Sequence, residues 1–161
     1  MKRAIYALFL MLLLPWSSAN GQQVTIEKLT FGEYTTGRVE SYDDPKSPTG
    51  KRYASTGEAL TAQTNTITLR PNMNFGFEYI VRGPSGNIEL ETVYFLPDES
   101  GRTITDATPA YVYKVPMTNG ERNRMFWFIG KDASGMKTGN YVFQLRHQNR
   151  VVAEHTFKVQ R

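Results

Sequence analysis

Along most of the chain, apolar and polar residues alternate with a period of two. In Phe75–Arg82, residues Phe75, Phe77, Tyr79 and Val81 fall on one side and Glu78 and Arg82 on the other, the signature of a half-buried strand. Asn87–Leu96 repeats the pattern, with Ile88, Leu90, Tyr94 and Leu96 opposed to Glu89 and Glu91. Gly83-Pro84-Ser85-Gly86 between them is a strong turn signal, so the two runs are expected to pair as a hairpin at the centre of the core. Val24–Tyr34 is β-branched and aromatic, and its Gly32 suggests a bulge or bend. Thr66–Leu69 is a short strand ended by Arg70-Pro71-Asn72, and Ala110–Val115 is a strand with Pro116 behind it. Met125–Ile129 is apolar throughout, which suits a strand buried on both faces with Trp127 in the core. Tyr141–His147 and Val151–Val159 form a last hairpin around Gln148-Asn149-Arg150. Val152 and Phe157 face inward together only if a bulge resets the parity between them. No window shows a 3.6-residue period. The pattern predicts an all-β chain of about seven or eight strands, folded as a sandwich of two antiparallel sheets, with a barrel as the alternative. A single sheet could not bury both sets of inward aromatics.

Thr35–Asn65 breaks the pattern. It is polar and rich in Gly, Pro, Ser and Thr, and reads as a long polar loop over 35–65, shortened by a strand or helix around Glu58–Ala62. Its charges cancel, with Arg38, Lys46, Lys51 and Arg52 against Glu40, Asp43, Asp44 and Glu58. Long loops on a rigid scaffold are where binding residues concentrate. Tyr42 and Tyr53 would supply aromatic area and Lys51 with Arg52 polar anchoring, which makes these four the candidate partner contacts.

The N-terminus carries a different signal. Lys2 and Arg3 precede an unbroken apolar run, Ala4–Leu14, which ends at Pro15 and the small residues of Ser17-Ser18-Ala19-Asn20-Gly21. This is the tripartite form of a secretory signal peptide spanning 1–21, with cleavage after Ala19 or Gly21. At about 1.5 Å rise per residue the run cannot cross a hydrocarbon core of roughly 30 Å. The chain is therefore expected in the periplasm or the medium, with no transmembrane segment after cleavage and a single domain over 22–161. Loss of Lys2 and Arg3 lowers the formal net charge of +4 by two. The longest basic run left is Lys51-Arg52, so nucleic acid, whose capture needs several unopposed cations, is not an expected partner. There is no cysteine among the 161 residues, which removes disulfides, thiolate metal sites and cysteine nucleophiles.

Catalytic signatures are scarce. Thr49-Gly50-Lys51 lacks the upstream glycine of a phosphate-binding loop, and no G-x-S-x-G elbow occurs. His147 and His155 flank one hairpin and could approach across it, but no third ligand stands at metal spacing, and Glu154 should point to the opposite face. Asp43-Asp44-Pro45 lacks the alternating oxygens of a calcium loop. No cofactor or metal is expected.

Gly139-Asn140-Tyr141-Val142-Phe143-Gln144-Leu145, followed by Arg150-Val151-Val152-Ala153-Glu154-His155-Thr156-Phe157-Lys158-Val159, resembles the ending of a bacterial family catalogued as domain of unknown function 3859. Phe31-Gly32-Glu33-Tyr34 and Phe75-Gly76-Phe77-Glu78-Tyr79 are similar to that family's other landmarks. The resemblance implies an immunoglobulin-like domain and supplies no activity or site. Two function classes follow. One is an exported, non-enzymatic module that binds a protein or envelope component. The other is a hydrolase-type enzyme whose site is not visible as a motif.

Overall fold

The computed structural model describes residues 23–43, 51–105 and 108–161; the signal peptide expected over 1–21 lies outside them. Among the described residues there are eleven strands: β1 (Thr25–Thr35), β2 (Arg38–Asp43), β3 (Lys51–Thr56), β4 (Leu60–Ala62), β5 (Thr66–Thr68), β6 (Met73–Arg82), β7 (Asn87–Phe95), β8 (Tyr111–Thr118), β9 (Arg122–Ile129), β10 (Gly139–His147) and β11 (Arg150–Gln160). Each of the eight runs read from alternation appears as a strand. The other three strands come from the polar segment. Two sheets face each other, one ordered β4-β1-β6-β9 and the other β5-β11-β10-β7-β8, while β2 and β3 pair only with each other. No helix among the described residues is long and apolar enough to cross a membrane.

The inward positions of both sheets make one core. Phe75, Phe77, Tyr79 and Val81 of β6 meet Ile88 and Leu90 of β7, Tyr141, Phe143 and Leu145 of β10 and Phe157 of β11. Phe75 is the hub, with ring centroids 5.4 to 5.6 Å from Phe157, Tyr141 and Phe143. On β1 the register sets Phe31 against Phe77 and Gly32 against Gly76, so two of the family-like motifs are neighbours in one sheet.

Three expectations need correction. First, β6 and β7 do not form a hairpin. Both edges of β6 are taken, by β1 and β9, and both edges of β7 by β10 and β8, so the Gly83–Gly86 connection carries the chain from one sheet to the other. The β8–β9 turn makes the same crossing beside it, and the two are clipped together by Gly83 N donating to Asn119 Oδ1 (3.1 Å) and Gly120 N to Val81 O (2.8 Å). Second, β9 is not buried on both faces. It is an edge strand whose Met125 and Ile129 point inward while Phe128 is exposed, and Trp127 is half-buried against Tyr111, Tyr141 and Tyr94. Third, the pairing is not wholly antiparallel. The chain leaves β4 for the opposite sheet, where β5 runs parallel to β11 and buries Ile67. The parity reset in the last hairpin falls at Val152, which is skipped between the pairs Leu145–Ala153 and Arg146–Val151.

Candidate functional site

The segment expected as a loop is a two-stranded ribbon. Arg38–Asp43 and Lys51–Thr56 alternate β-branched, aromatic and charged residues, and the antiparallel register sets Asp43 against Lys51, Tyr42 against Arg52 and Ser41 against Tyr53. At the Asp43–Lys51 position the register sets residues of opposite charge against each other. The structure thus brings all four candidate contacts onto one arm. Tyr42 is 52% exposed and donates its hydroxyl proton to Glu40 Oε2 at 2.7 Å. The expected strand near Glu58–Ala62 is β4, which pairs with β1.

The root of the arm is tight. Thr35 N donates to Ala59 O and Ala59 N to Thr35 Oγ1, both at 2.9 Å. A Cβ on Gly37 would lie 2.0 Å from Thr56 O, so the two strands approach there as closely as only glycine allows. Gly57, at φ +82°, turns the chain so that Glu58 folds back over the outer face of the four-stranded sheet.

That outer face holds a cluster the sequence did not reveal. Glu78 points outward from β6, as its parity requires, yet is only 4% exposed. Arg124 on β9 donates from Nε to Glu78 Oε1 (3.0 Å) and from Nη1 to Glu58 Oε2 (2.8 Å). Arg122 donates to Glu78 Oε2. Glu58 is 7% exposed, and its Oε1 is buried without a hydrogen bond among the described residues. Beside Glu78 and the two arginines lies an open recess of about 380 Å³, which Asn123 also lines. Tyr34 is buried nearby, its ring 4.5 Å from Phe126 and its hydroxyl 2.8 Å from Thr30 Oγ1.

The Arg122 hydrogen bond, with Arg124 beside it, holds the Glu78 carboxyl below its ordinary 4.5. A carboxylate kept ionised by two guanidiniums is a poor proton donor, and its contribution to stability is present above about 4.5 and lost as the pH falls further.

The histidines do not meet. The register sets His147 against Arg150 and His155 against Phe143. His147 Nδ1 lies 3.0 Å from Glu89 O. His155 packs among Phe157, Phe31 and Phe77 with Nε2 2.7 Å from Asn65 Oδ1. Burial, with Lys28 nearby, pushes its imidazole from the usual 6.5 down to about 4. The folded protein keeps it neutral while the unfolded chain takes up a proton. This stabilisation is therefore complete above about 6.5 and is lost as the pH falls toward 4. Urea titrations should show a stability slope of up to one proton over this window that disappears in His155→Gln; a parent with no slope there refutes the assignment. Among the described residues, no group of three His, Asp or Glu side chains is placed to hold a metal.

No family model matches the chain, and no curated protein sequence matches it. Among solved structures, an immunoglobulin-like protein from Pseudomonas aeruginosa superposes with a TM-score of 0.52 at 15% identity, over 88% of this chain and 99% of that one. The chain is an immunoglobulin-like β-sandwich. Pseudomonas fluorescens alkylpurine DNA glycosylase AlkC, bound to DNA containing an abasic site analog, shares 12% identity over 81% of this chain. Only 31% of that enzyme is covered, at a TM-score of 0.40, a likeness too distant to bear on function. The arm projects from the four-stranded sheet's β1–β4 connection, and the buried carboxylate of Glu58 lies just beyond its root.

Proposed function

We propose that the chain is an exported, non-enzymatic immunoglobulin-like module that engages a protein or cell-envelope component through the β2–β3 arm, and that it belongs to the family catalogued as domain of unknown function 3859. The observation that carries the reading is that β2 and β3 pair with neither main sheet. An isolated two-stranded ribbon is marginal in water, and this one has no strand partner in either main sheet, so its upkeep is best explained by a contact role. Tyr42, Lys51, Arg52 and Tyr53 are its contact residues. The two carboxylates that converge on Arg124 are both charge-paired, which disfavours the hydrolase alternative.

The test is to replace residues 38–56 with a short Gly-Ser linker, retaining Gly57 and Glu58 so that the cluster on β9 survives. Melting should change little, because loop-closure entropy shifts by only about 0.6 kcal/mol per doubling of length. Capture of partners from envelope extracts of the native host should be lost; unchanged capture ends the proposal. Export is tested by intact mass. The secreted form should begin at Asn20 or Gln22, and a retained Met1 would overturn it.

A further inference from the structure

We infer that the Glu58–Arg124 pair is a latch that fixes the orientation of the β2–β3 arm on the sandwich. The arm's own strands bond to each other, and the Thr35–Ala59 bonds tie its root only to the strands it grows from. Glu58 does something different. From the β4–β1 side of the sheet it reaches over β6 to Arg124 on the far edge strand, β9. Its side chain is 1% exposed and is held through one oxygen, the other being buried without a partner among the described residues. A buried carboxylate with a single partner has one bond to keep or lose, with no graded alternative. Arg124 is pre-oriented for it by the second bond, from Nε to Glu78, and Glu78 is steadied in turn by Arg122. Arg122, Glu78 and Arg124 thus form a fixed rail on the sheet, and Glu58 is the element that engages it. Glu58 and Arg124 are positioning residues. Their role in partner capture rests on the arm being the contact element, but the latch itself does not.

The chain has no cysteine, so Ser41→Cys and Thr156→Cys introduce two unique spin-label sites, one on the arm and one on exposed β11. The parent should give a single narrow distance distribution by pulsed dipolar spectroscopy. Glu58→Ala removes the carboxylate and leaves Arg124 with Glu78, so the melting curve should stay near the parent while the distribution widens by at least about twofold. Glu58→Gln, which keeps an acceptor for Arg124, should lie between the two. Glu58→Asp, one methylene short, should widen it if Glu58→Ala folds poorly. Arg82→Gln, which breaks only the exposed pair with Glu27 outside the rail, should leave the width unchanged. A parent distribution already broad, an unaltered width in both Glu58→Ala and Glu58→Asp, or equal widening in Arg82→Gln would each overturn the latch. Widening in Glu58→Ala together with normal partner capture after arm excision would keep the latch and remove the proposed contact role.

Discussion

Phe75→Ala should cost the sandwich about 3–5 kcal/mol, more than any other single truncation on β6. The ring is fully buried and meets three aromatic rings of the opposite sheet, Tyr141, Phe143 and Phe157. Removing it leaves a cavity between sheets that cannot collapse, because both flanks of β6 are locked by hydrogen bonds to β1 and β9. For a domain of this size the melting temperature should fall by on the order of 10 °C. Calorimetry showing a loss under about 1 kcal/mol would mean that the core is not organised around this ring.

Arg124→Gln should be nearly as damaging, at about 3–5 kcal/mol, although its side chain is partly exposed. The reason lies with its partners. Glu58 loses its one hydrogen-bonded cation inside the protein, and Glu78 loses one of two. Arg82→Gln, which breaks an exposed pair with Glu27, is the control and should cost about 0–1 kcal/mol. Adding Glu58→Gln to Arg124→Gln should recover part of the loss, since the stranded charge is then gone, and the coupling between the two sites should exceed about 0.5 kcal/mol. Additive effects in the double-mutant cycle would show that the pair does not act as a unit.

Much of this architecture was legible in residue alternation, and the failures have physical causes. Period-two patterning shows which way a side chain points, so the inward set Phe75, Phe77, Tyr79 and Val81 was readable directly. Alternation is silent about strand edges. Nothing in Gly83–Gly86 tells a hairpin from a crossing between sheets, because that depends on whether β1 and β9 already occupy the flanks of β6. Glu78 was placed on the correct face, but its burial was not legible, since its cover arrives from Glu58, Arg122 and Arg124, all distant in sequence. Met125–Ile129 looked buried on both faces because its hydrophobicity is uniform, yet its position at a sheet edge leaves Phe128 exposed. The arm was hidden for the opposite reason. A polar segment rich in Gly, Pro, Ser and Thr carries no apolar alternation to announce a ribbon.

The strand order of the five-stranded sheet has a consequence for how the chain is made. Its middle strand is β10, and β11 separates β10 from β5, so residues 139 to 160 occupy its interior rather than its rim. During synthesis from the N-terminal end, β5, β7 and β8 emerge before the strands that must lie between or beside them. Ile67 then has no parallel neighbour, and Phe75 lacks Tyr141, Phe143 and Phe157. A nascent chain halted before Gly139 can pair β7 with β8 and assemble the other sheet, but it lacks the β10 and β11 residues that close over the inward aromatics. The sandwich core is therefore completed only once residues 139 to 160 have been made, and until then part of its apolar surface has no cover.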